Sequence, residues 1–314
     1  MKAIYIFCSL TLLMTPLSLL SQQIDLAGVV SIHNSKYLTG TIQYVQNAQV
    51  SAMNASPTAT DNKGEFTLIF IGVDGGDKVN VQVEKKDWDI VNTHDLANVI
   101  VGRTSPLEIY LQKKDLLAQS QAEFYKISKE ALYAEHDRRI AILEKEGMQA
   151  QALVDELNTE FNLEIRGKNE AIFELKKQLK IAEKRLPEFA RDLAHVNLDF
   201  ASELYVQAYE LMKEGKVTEA LEVLDNAKLE KSVEDVISTI KVSKELDQKA
   251  NEKGIQTKKA LELKAEGHYL LLEYRQALQS LEIRLELMEE LNSVEDTELA
   301  DAYRELAGVY RDLG

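Results

Sequence analysis

The sequence predicts a multidomain chain of mixed α and β structure: a small N-terminal β-sandwich, a long helical or coiled-coil connector, and a C-terminal all-α array of helical hairpins. Three observations predict it. Between residues 24 and 112, apolar and polar residues alternate in short runs such as Phe66, Leu68 and Phe70, the period of a half-buried strand. From Ile172 to Phe200 the apolar residues recur in steps of three and four, which is a heptad seam. From Ala208 to Ala227, AYELMKEGKVTEALEVLDNA fits two amphipathic helices around a tight turn at Gly215, and the pattern recurs downstream.

Length and charge bound the reading. A chain of 314 residues has room for about two domains. Hydrophobic content of 45% supports packed cores rather than wholesale disorder. A formal charge of −15 argues against nucleic acid as a main partner, because phosphates would be repelled. Otherwise the acidity describes a solvated helical surface.

Residues 1–22 read as an export signal. Lys2 is the basic start, Ile4 to Leu20 is mostly apolar, and Ser21-Gln22-Gln23 is the polar end. A membrane anchor needs ~20 apolar residues, whereas Thr11, Thr15 and Pro16 dilute this shorter run. Cleavage is expected near Ser21 or Gln22, leaving no anchor and a periplasmic, cell-surface or extracellular protein. Cys8 is the single cysteine and lies inside the signal, so the mature chain has no disulfide, thiolate metal site or cysteine nucleophile.

Residues 24–112 supply about seven strands. Ile24 and Leu26 alternate, as do Ala48, Val50 and Ala52, then Phe66, Leu68 and Phe70, then Val79, Val81 and Val83, with Ile109, Tyr110 and Leu111 last. Turns fall at Asp61-Asn62-Lys63-Gly64 and Asp74-Gly75-Gly76-Asp77. Trp88 is expected to cap the core. Asp74 and Asp77 lack the alternating carboxylates of a calcium loop and read as a hairpin turn. Asn54-Ala55-Ser56 fits the N-glycosylation pattern. The run AQVSAMNASPTATDNKGEFTLIF followed by GDKVNVQVEKKDW resembles the carboxypeptidase regulatory-like domain, through Thr60, Asp61, Gly64 and Phe66, with Gly28-Val29-Val30 as first strand. Residues 31–45 depart from that family, being longer and more polar. The resemblance implies an accessory, non-catalytic docking or spacer module.

Residues 113–200 form the connector, rich in charged and long aliphatic residues. Its seam is Ile172, Leu175, Leu179, Ala182, Leu186, Phe189, Leu193, Val196 and Phe200, extended backwards by Val154, Phe161 and Ile165. It predicts a coiled coil, within the chain or between chains, or one long amphipathic helix packed on the repeats. Pro187 is expected to kink it, and Gly147 and Gly167 to weaken it. His136 and His195 read as surface or edge residues.

Residues 201–314 carry the repeats. Ala208, Leu211, Gly215, Val217, Ala220, Leu224 and Ala227 mark the first copy; Ala265, His268, Tyr274, Ala277, Leu281 and Arg284 mark the second, 57 residues on (277 − 220). Tyr303, Leu306, Ala307 and Tyr310 open a third, 42 residues further (307 − 265). The pattern resembles the tetratricopeptide repeat, whose period is ~34 residues; the 42-residue step resembles the long-helix variant of kinesin-light-chain-like arrays. Leu272 stands where that family has a turn glycine, and Arg284 where it has a small residue. The half-copy is expected to leave an apolar face open, with the helix from about Thr297 fraying.

No nucleophile elbow, H-E-x-x-H motif, phosphate loop or dinucleotide fingerprint occurs. The reading is a non-catalytic exported scaffold, without cofactor or metal, that binds proteins or peptides. In such a family the first helix of each hairpin lines a groove. The corresponding positions are Tyr205, Tyr209 and Met212, then Glu262, Glu266 and Tyr269, then Arg304 and Arg311, each either binding a partner or packing between repeats. His268 lies in the core pattern and is expected to be packed. Alternative readings are the sensory part of a longer signalling protein or enzyme, and an architectural cell-envelope spacer. Self-association through the coiled coil is a further expectation.

Overall fold

The computed structural model describes residues 23–145, 147–161, 163–226, 228–242, 247–291, 294 and 296–313. The export signal with Cys8, and also Ala227 and Gly314, lie outside the described residues. A β-sheet region precedes a helical region. The chain divides into two compact units: one takes in the chain up to Ser31 with Tyr44–Lys86 and Asn92–Tyr110, the other Ile32–Gln43, Asp87–Val91 and the chain from Leu111.

Among the described residues there are nine strands: β1 Ile24–Ile32, β2 Gln49–Ala52, β3 Thr58–Ala59, β4 Glu65–Phe70, β5 Lys78–Val79, β6 Val81–Glu84, β7 Trp88–Ile90, β8 Val99–Ile100 and β9 Leu107–Lys113. They form sheets of order β4-β1-β9-β7, β3-β2-β6 and β5-β8. The alternating residues point inward: Leu26, Val30, Val50, Phe66, Leu68, Phe70, Val81, Val83, Leu107 and Ile109 are buried. One run divides. Val79 pairs with Val99 in the two-stranded sheet, whereas Val81 and Val83 pair with β2, so the strand changes partner at Asn80. Trp88 is half-buried under Lys113 Nζ, 4.3 Å from its ring centroid, rather than at a core.

The quoted motif residues have physical jobs. The buried Thr60 hydroxyl donates to the Val45 carbonyl (2.6 Å) and accepts from the Ala48 N–H (2.9 Å). Asp61 Oδ1 accepts from the N–H groups of Lys63 and Glu65. Gly64 has φ +72°, and a Cβ there would lie 2.3 Å from the Val30 carbonyl oxygen. At Gly28 a Cβ would lie 2.3 Å from Phe66 Cζ, so only glycine lets the ring cross the strand. The Asp74–Asp77 turn closes on itself: Asp74 N–H donates to Asp77 Oδ2, and Asp77 N–H to the Asp74 carbonyl.

The second unit is mainly helical, and it includes the polar segment Ile32–Gln43. That segment holds a short helix, α1 (Ser35–Thr39). Asn34 Nδ2 donates to the Val196 carbonyl (3.1 Å), and Asn34 Oδ1 accepts from the Leu198 N–H (2.6 Å). The Tyr37 N–H donates to Asp199 Oδ1 (2.9 Å), and its hydroxyl donates to Glu210.

Helices α2 (Leu116–Lys145), α3 (Met148–Phe161) and α4 (Lys168–His195) come next, with Gly147 and Gly167 at the junctions. Gly147 has φ +102°, a conformation that ends α2. α2 and α4 pack side by side along most of their length. They are antiparallel: the Tyr133 hydroxyl donates to Glu183, and Tyr209 touches Phe124 while bonding the Leu193 carbonyl. The seam residues Leu175, Ala182, Leu186, Phe189 and Leu193 are buried, but so are Ala171, Gln178, Ala190 and Ala194. α4 is therefore enclosed over a face wider than a heptad seam. Helix α4 runs unbroken through Pro187, and Phe200 is half-exposed rather than on the seam.

The remaining helices are α5 (Glu203–Lys213), α6 (Val217–Asn226), α7 (Leu229–Val242), α8 (Asp247–Leu270), α9 (Tyr274–Glu290) and α10 (Asp296–Leu313). α5 packs on α6, α8 on α9, and α9 on α10. The two turns match bond for bond. Gly215 (φ +75°) donates to the Met212 carbonyl and Lys216 to that of Leu211; Leu272 (φ +60°) donates to Tyr269 and Glu273 to His268. The long offset between them has a cause: α7 is inserted between the hairpins, packing on α8 and α9. Among the described residues, no helix is long and apolar enough to cross a membrane.

Candidate functional site

The candidate groove residues lie on α5, α8 and α10. Tyr205, Tyr209, Met212 and Tyr269 are all buried, so of the two roles open to them packing is the one their surroundings fit. Their covers are identifiable. Tyr209 meets the Phe124 ring edge-on at 5.5 Å and donates to the Leu193 carbonyl, so α2 and α4 lie on it. Tyr205 stacks on Tyr209. Met212 is held against Gly267 of α8, where an added Cβ would lie 2.6 Å from Met212 Cε. Tyr269 lies under the Arg185 guanidinium of α4 (4.4 Å) and donates to Asp312 of α10 (2.7 Å). Helices α2 and α4 therefore lie over Tyr209 of α5, and α4 over Tyr269 of α8. Burial pushes the Tyr209, Tyr269 and Tyr274 hydroxyls upward, so all three are neutral at physiological pH.

Glu262 and Glu266 are partly buried, and Arg304 and Arg311 are exposed. Beneath α10 these acids belong to a charged cluster. Arg284, where a small residue was expected, is buried; its Nη1 donates to Glu305 Oε2 (2.6 Å), and its Nη2 lies 3.9 Å from Glu262 Oε2. The guanidinium thus occupies the space a small side chain would leave, and the ion pairs let α9 pack between α8 and α10. Burial holds the Glu305 carboxyl above the usual range although Arg284 pulls it down. The Asp192 carboxyl is likewise raised by burial against the pull of Arg191.

α10 presents a different face outward. Tyr303, Arg304, Ala307, Tyr310 and Arg311 are exposed, while Ala302 and Val309 are buried on the opposite side. The equivalent residues of α8, Leu261, Ala265 and His268, are buried. The helix is seated on its neighbours: Asp312 accepts from Tyr269 and pairs with Arg185, and Glu305 accepts from Arg284.

Three histidines make short polar contacts. His136 is buried, not at the surface, with Nδ1 3.1 Å from Asp137. His268 Nδ1 lies 2.8 Å from Glu273 Oε2 across the turn at Leu272, and His195 Nδ1 lies 2.6 Å from the Arg191 carbonyl. Among the described residues no group of three or more His, Cys, Asp or Glu could hold a metal ion. An open cleft of about 360 Å³ is bounded by Leu163, Ile165 and Phe173 at the start of α4. The sequence reading missed the cluster around Arg284; its signal was the charged residue at a position normally small.

Comparison with protein-family models, with curated proteins and with solved structures yields no match to this chain.

Proposed function

We propose that this is a non-catalytic, exported scaffold that binds protein partners through a tetratricopeptide-type array, with its free binding face on α10. The observation that carries the reading is the exposed stripe of Tyr303, Ala307 and Tyr310, flanked by Arg304 and Arg311, whose tyrosine hydroxyls donate to Glu289 and Glu282 of α9. The matched turns at Gly215 and Leu272 support the repeat assignment, and the network around Thr60, Asp61, Gly64 and Phe66 supports an accessory regulatory-like β-domain. The faces of α5 and α8 are poor candidates. Uncovering four large side chains would cost roughly 1.5–3 kcal/mol each, as much as a micromolar ligand supplies at about 8 kcal/mol. The partner that fits α10 is an amphipathic helix with small residues at the crossing and acidic flanks, as in α6, where Ala220 lies between Glu219 and Glu222.

The test is a titration with two synthetic helical peptides sharing one apolar stripe, one with acidic and one with basic flanks. The acidic peptide is expected to bind, and Arg304→Glu with Arg311→Glu to weaken it at least tenfold. Equal binding of both peptides, or no effect of the substitutions, contradicts the reading. Export is tested separately: mass spectrometry of the mature protein is expected to find an N-terminus near residue 22 or 23, and retention of Met1 contradicts it.

A further inference from the structure

The chain has 52 acidic and 37 basic side chains, yet its longest-packed helix carries a row of free cations. Lys176, Lys180 and Lys184 stand exposed at i, i+4 and i+8 on α4. Successive members are about 6 Å apart along the helix axis. None of the three has an ion-pair or hydrogen-bond partner among the described residues. The carboxylates around them are already engaged. Glu174 pairs with Lys177 at 3.1 Å, Glu188 with Arg191 at 3.5 Å, and Glu183 accepts from the Tyr133 hydroxyl of α2. Asp137, one turn from Tyr133, lies 3.1 Å from His136 Nδ1. One turn from Tyr133 the other way, Lys129 Nζ lies over the Tyr133 and Tyr125 rings, 5.5 and 6.0 Å from their centroids. Lys129, Lys180 and Lys184 thus all lie within one turn of the Tyr133–Glu183 contact.

Folding does not require this row. Like charges one turn apart on a helix repel and disfavour it, and α4 packs through other residues, such as Leu175, Ala182 and Leu186. Phe173, one turn before Lys176, is 70% exposed, and it is the one large apolar side chain exposed on α4 among the described residues. A lone phenylalanine is not the continuous apolar face that lying on a bilayer requires. It does suit the end of a second helix, whose own side chains repeat at the same 6 Å step.

We propose that the lysine row of α4 docks an acidic helix of a partner protein. Carboxylates one turn apart on that helix pair with Lys176, Lys180 and Lys184, and an apolar residue one turn beyond them covers Phe173. Each exposed pair is weak alone, so the row acts through its matched spacing, and the docking weakens as salt screens it. The surface is separate from the stripe on α10 and does not depend on it.

The experiment is a fluorescence-anisotropy titration of the full chain with a labelled helical peptide. The peptide carries Glu at three positions four residues apart, Leu one turn beyond each end, and alanine elsewhere; a matched peptide carries Gln in place of Glu. At low salt the Glu peptide is expected to bind at least tenfold more tightly than the Gln peptide, and the gap to close at high salt. The triple variant Lys176→Glu, Lys180→Glu, Lys184→Glu is expected to weaken it at least tenfold, whereas Arg304→Glu with Arg311→Glu leaves it unchanged. Equal binding of the two peptides overturns the proposal, as does parent-like binding by the triple variant. Loss of binding in the Arg304 and Arg311 variant alone also overturns it, by moving the peptide to α10. Vesicles containing phosphatidylglycerol are a second probe: lysine-dependent capture of vesicles without binding of the Glu peptide assigns the row to a membrane surface and overturns the helix. If circular dichroism shows that the triple variant does not fold, Lys176→Gln, Lys180→Gln, Lys184→Gln decides by the same criterion.

Discussion

Arg139 of α2 donates from Nη2 to the backbone carbonyl of Leu271, 3.0 Å away, at the turn that closes α8 onto α9. This guanidinium is 2% exposed. Its Nε also donates to Glu135 at 2.7 Å, and its Nη1 lies 3.4 Å from Glu156 of α3. One side chain thus ties α2 and α3 to a repeat turn 132 residues away in sequence. Nε and Nη2 meet acceptors, Leu271 offering a carbonyl that the helix end leaves free, whereas Nη1 has no hydrogen-bond partner among the described residues and only the Glu156 charge beside it.

Replacing Arg139 by Ala is expected to cost about 1.5–3 kcal/mol, because Glu135 keeps Arg138 but loses its buried Arg139 donor. Chemical denaturation of parent and variant measures this. Burial raises the Glu135 carboxyl, but hydrogen bonds from Arg138 and Arg139 outweigh it and hold the group below 4.5. The stability it contributes is present above pH 4.5 and is lost as pH falls through the lowered value. The parent is therefore expected to lose stability in acid more steeply than Arg139→Ala. Equal acid slopes count against the pair.

Exchanging residue type at the turn residues Gly215 and Leu272 is expected to destabilise at both, for different reasons. Gly215→Ala places a Cβ at φ +75°, with Ile127 Cγ2 at an ordinary 3.5 Å, and costs about 1 kcal/mol in backbone strain. Leu272→Gly relieves a strain of about 1–2 kcal/mol but empties a fully buried position, a loss of about 2–5 kcal/mol. The net effect is destabilising despite the better backbone fit. A stabilised Leu272→Gly in thermal melts refutes this ordering.

Leu193 and Leu179 share the apolar seam of α4 but differ in burial: Leu193 is enclosed and Leu179 is partly exposed. Leu193→Asp is expected to cost several kcal/mol by burying an unpaired charge, and Leu179→Asp clearly less. Circular dichroism melts test the order, and parent-like melting of Leu193→Asp contradicts the packing of α4.

His33 is buried, and its Nε2 has no partner among the described residues. Burial lowers its pKa below 6.5, against the opposing effects of the Val196 and His195 backbone and of Asp199. Its contribution is present above pH 6.5 and is lost as pH falls toward the lowered value. His33→Leu is expected to flatten the stability profile between pH 6.5 and pH 5, measured as urea midpoints. An unchanged profile shows that the imidazole does not govern this range.

Much of the local structure was legible in the sequence. The alternation of Phe66, Leu68 and Phe70 gave β4 its buried face, Gly147 and Gly215 marked where helices end, and Gly167 where α4 begins. The match of Gly215 to Leu272 was legible as a spacing, although the leucine disguised it. Less legible was what covers each apolar face. The period of Val79, Val81 and Val83 did not reveal that the strand changes sheets at Asn80, nor did any spacing mark α7 as an insertion between hairpins.

The sequence by itself determined which residues turn, which alternate and which line one side of a helix, because those properties depend on neighbours within a few positions. Only the tertiary structure decided that α2 and α4 cover Tyr209 and Tyr269, that His136 and Arg139 are enclosed, and that Ile32–Gln43 joins the helical unit. Periodicity states that a face is apolar but not which distant segment covers it. That choice rests on shape and on single long-range bonds such as Asn34 to Val196 and Arg139 to Leu271. The same limit hid the carboxylates around Arg284, since Glu262 and Glu305 meet it only when α8 and α10 pack on α9.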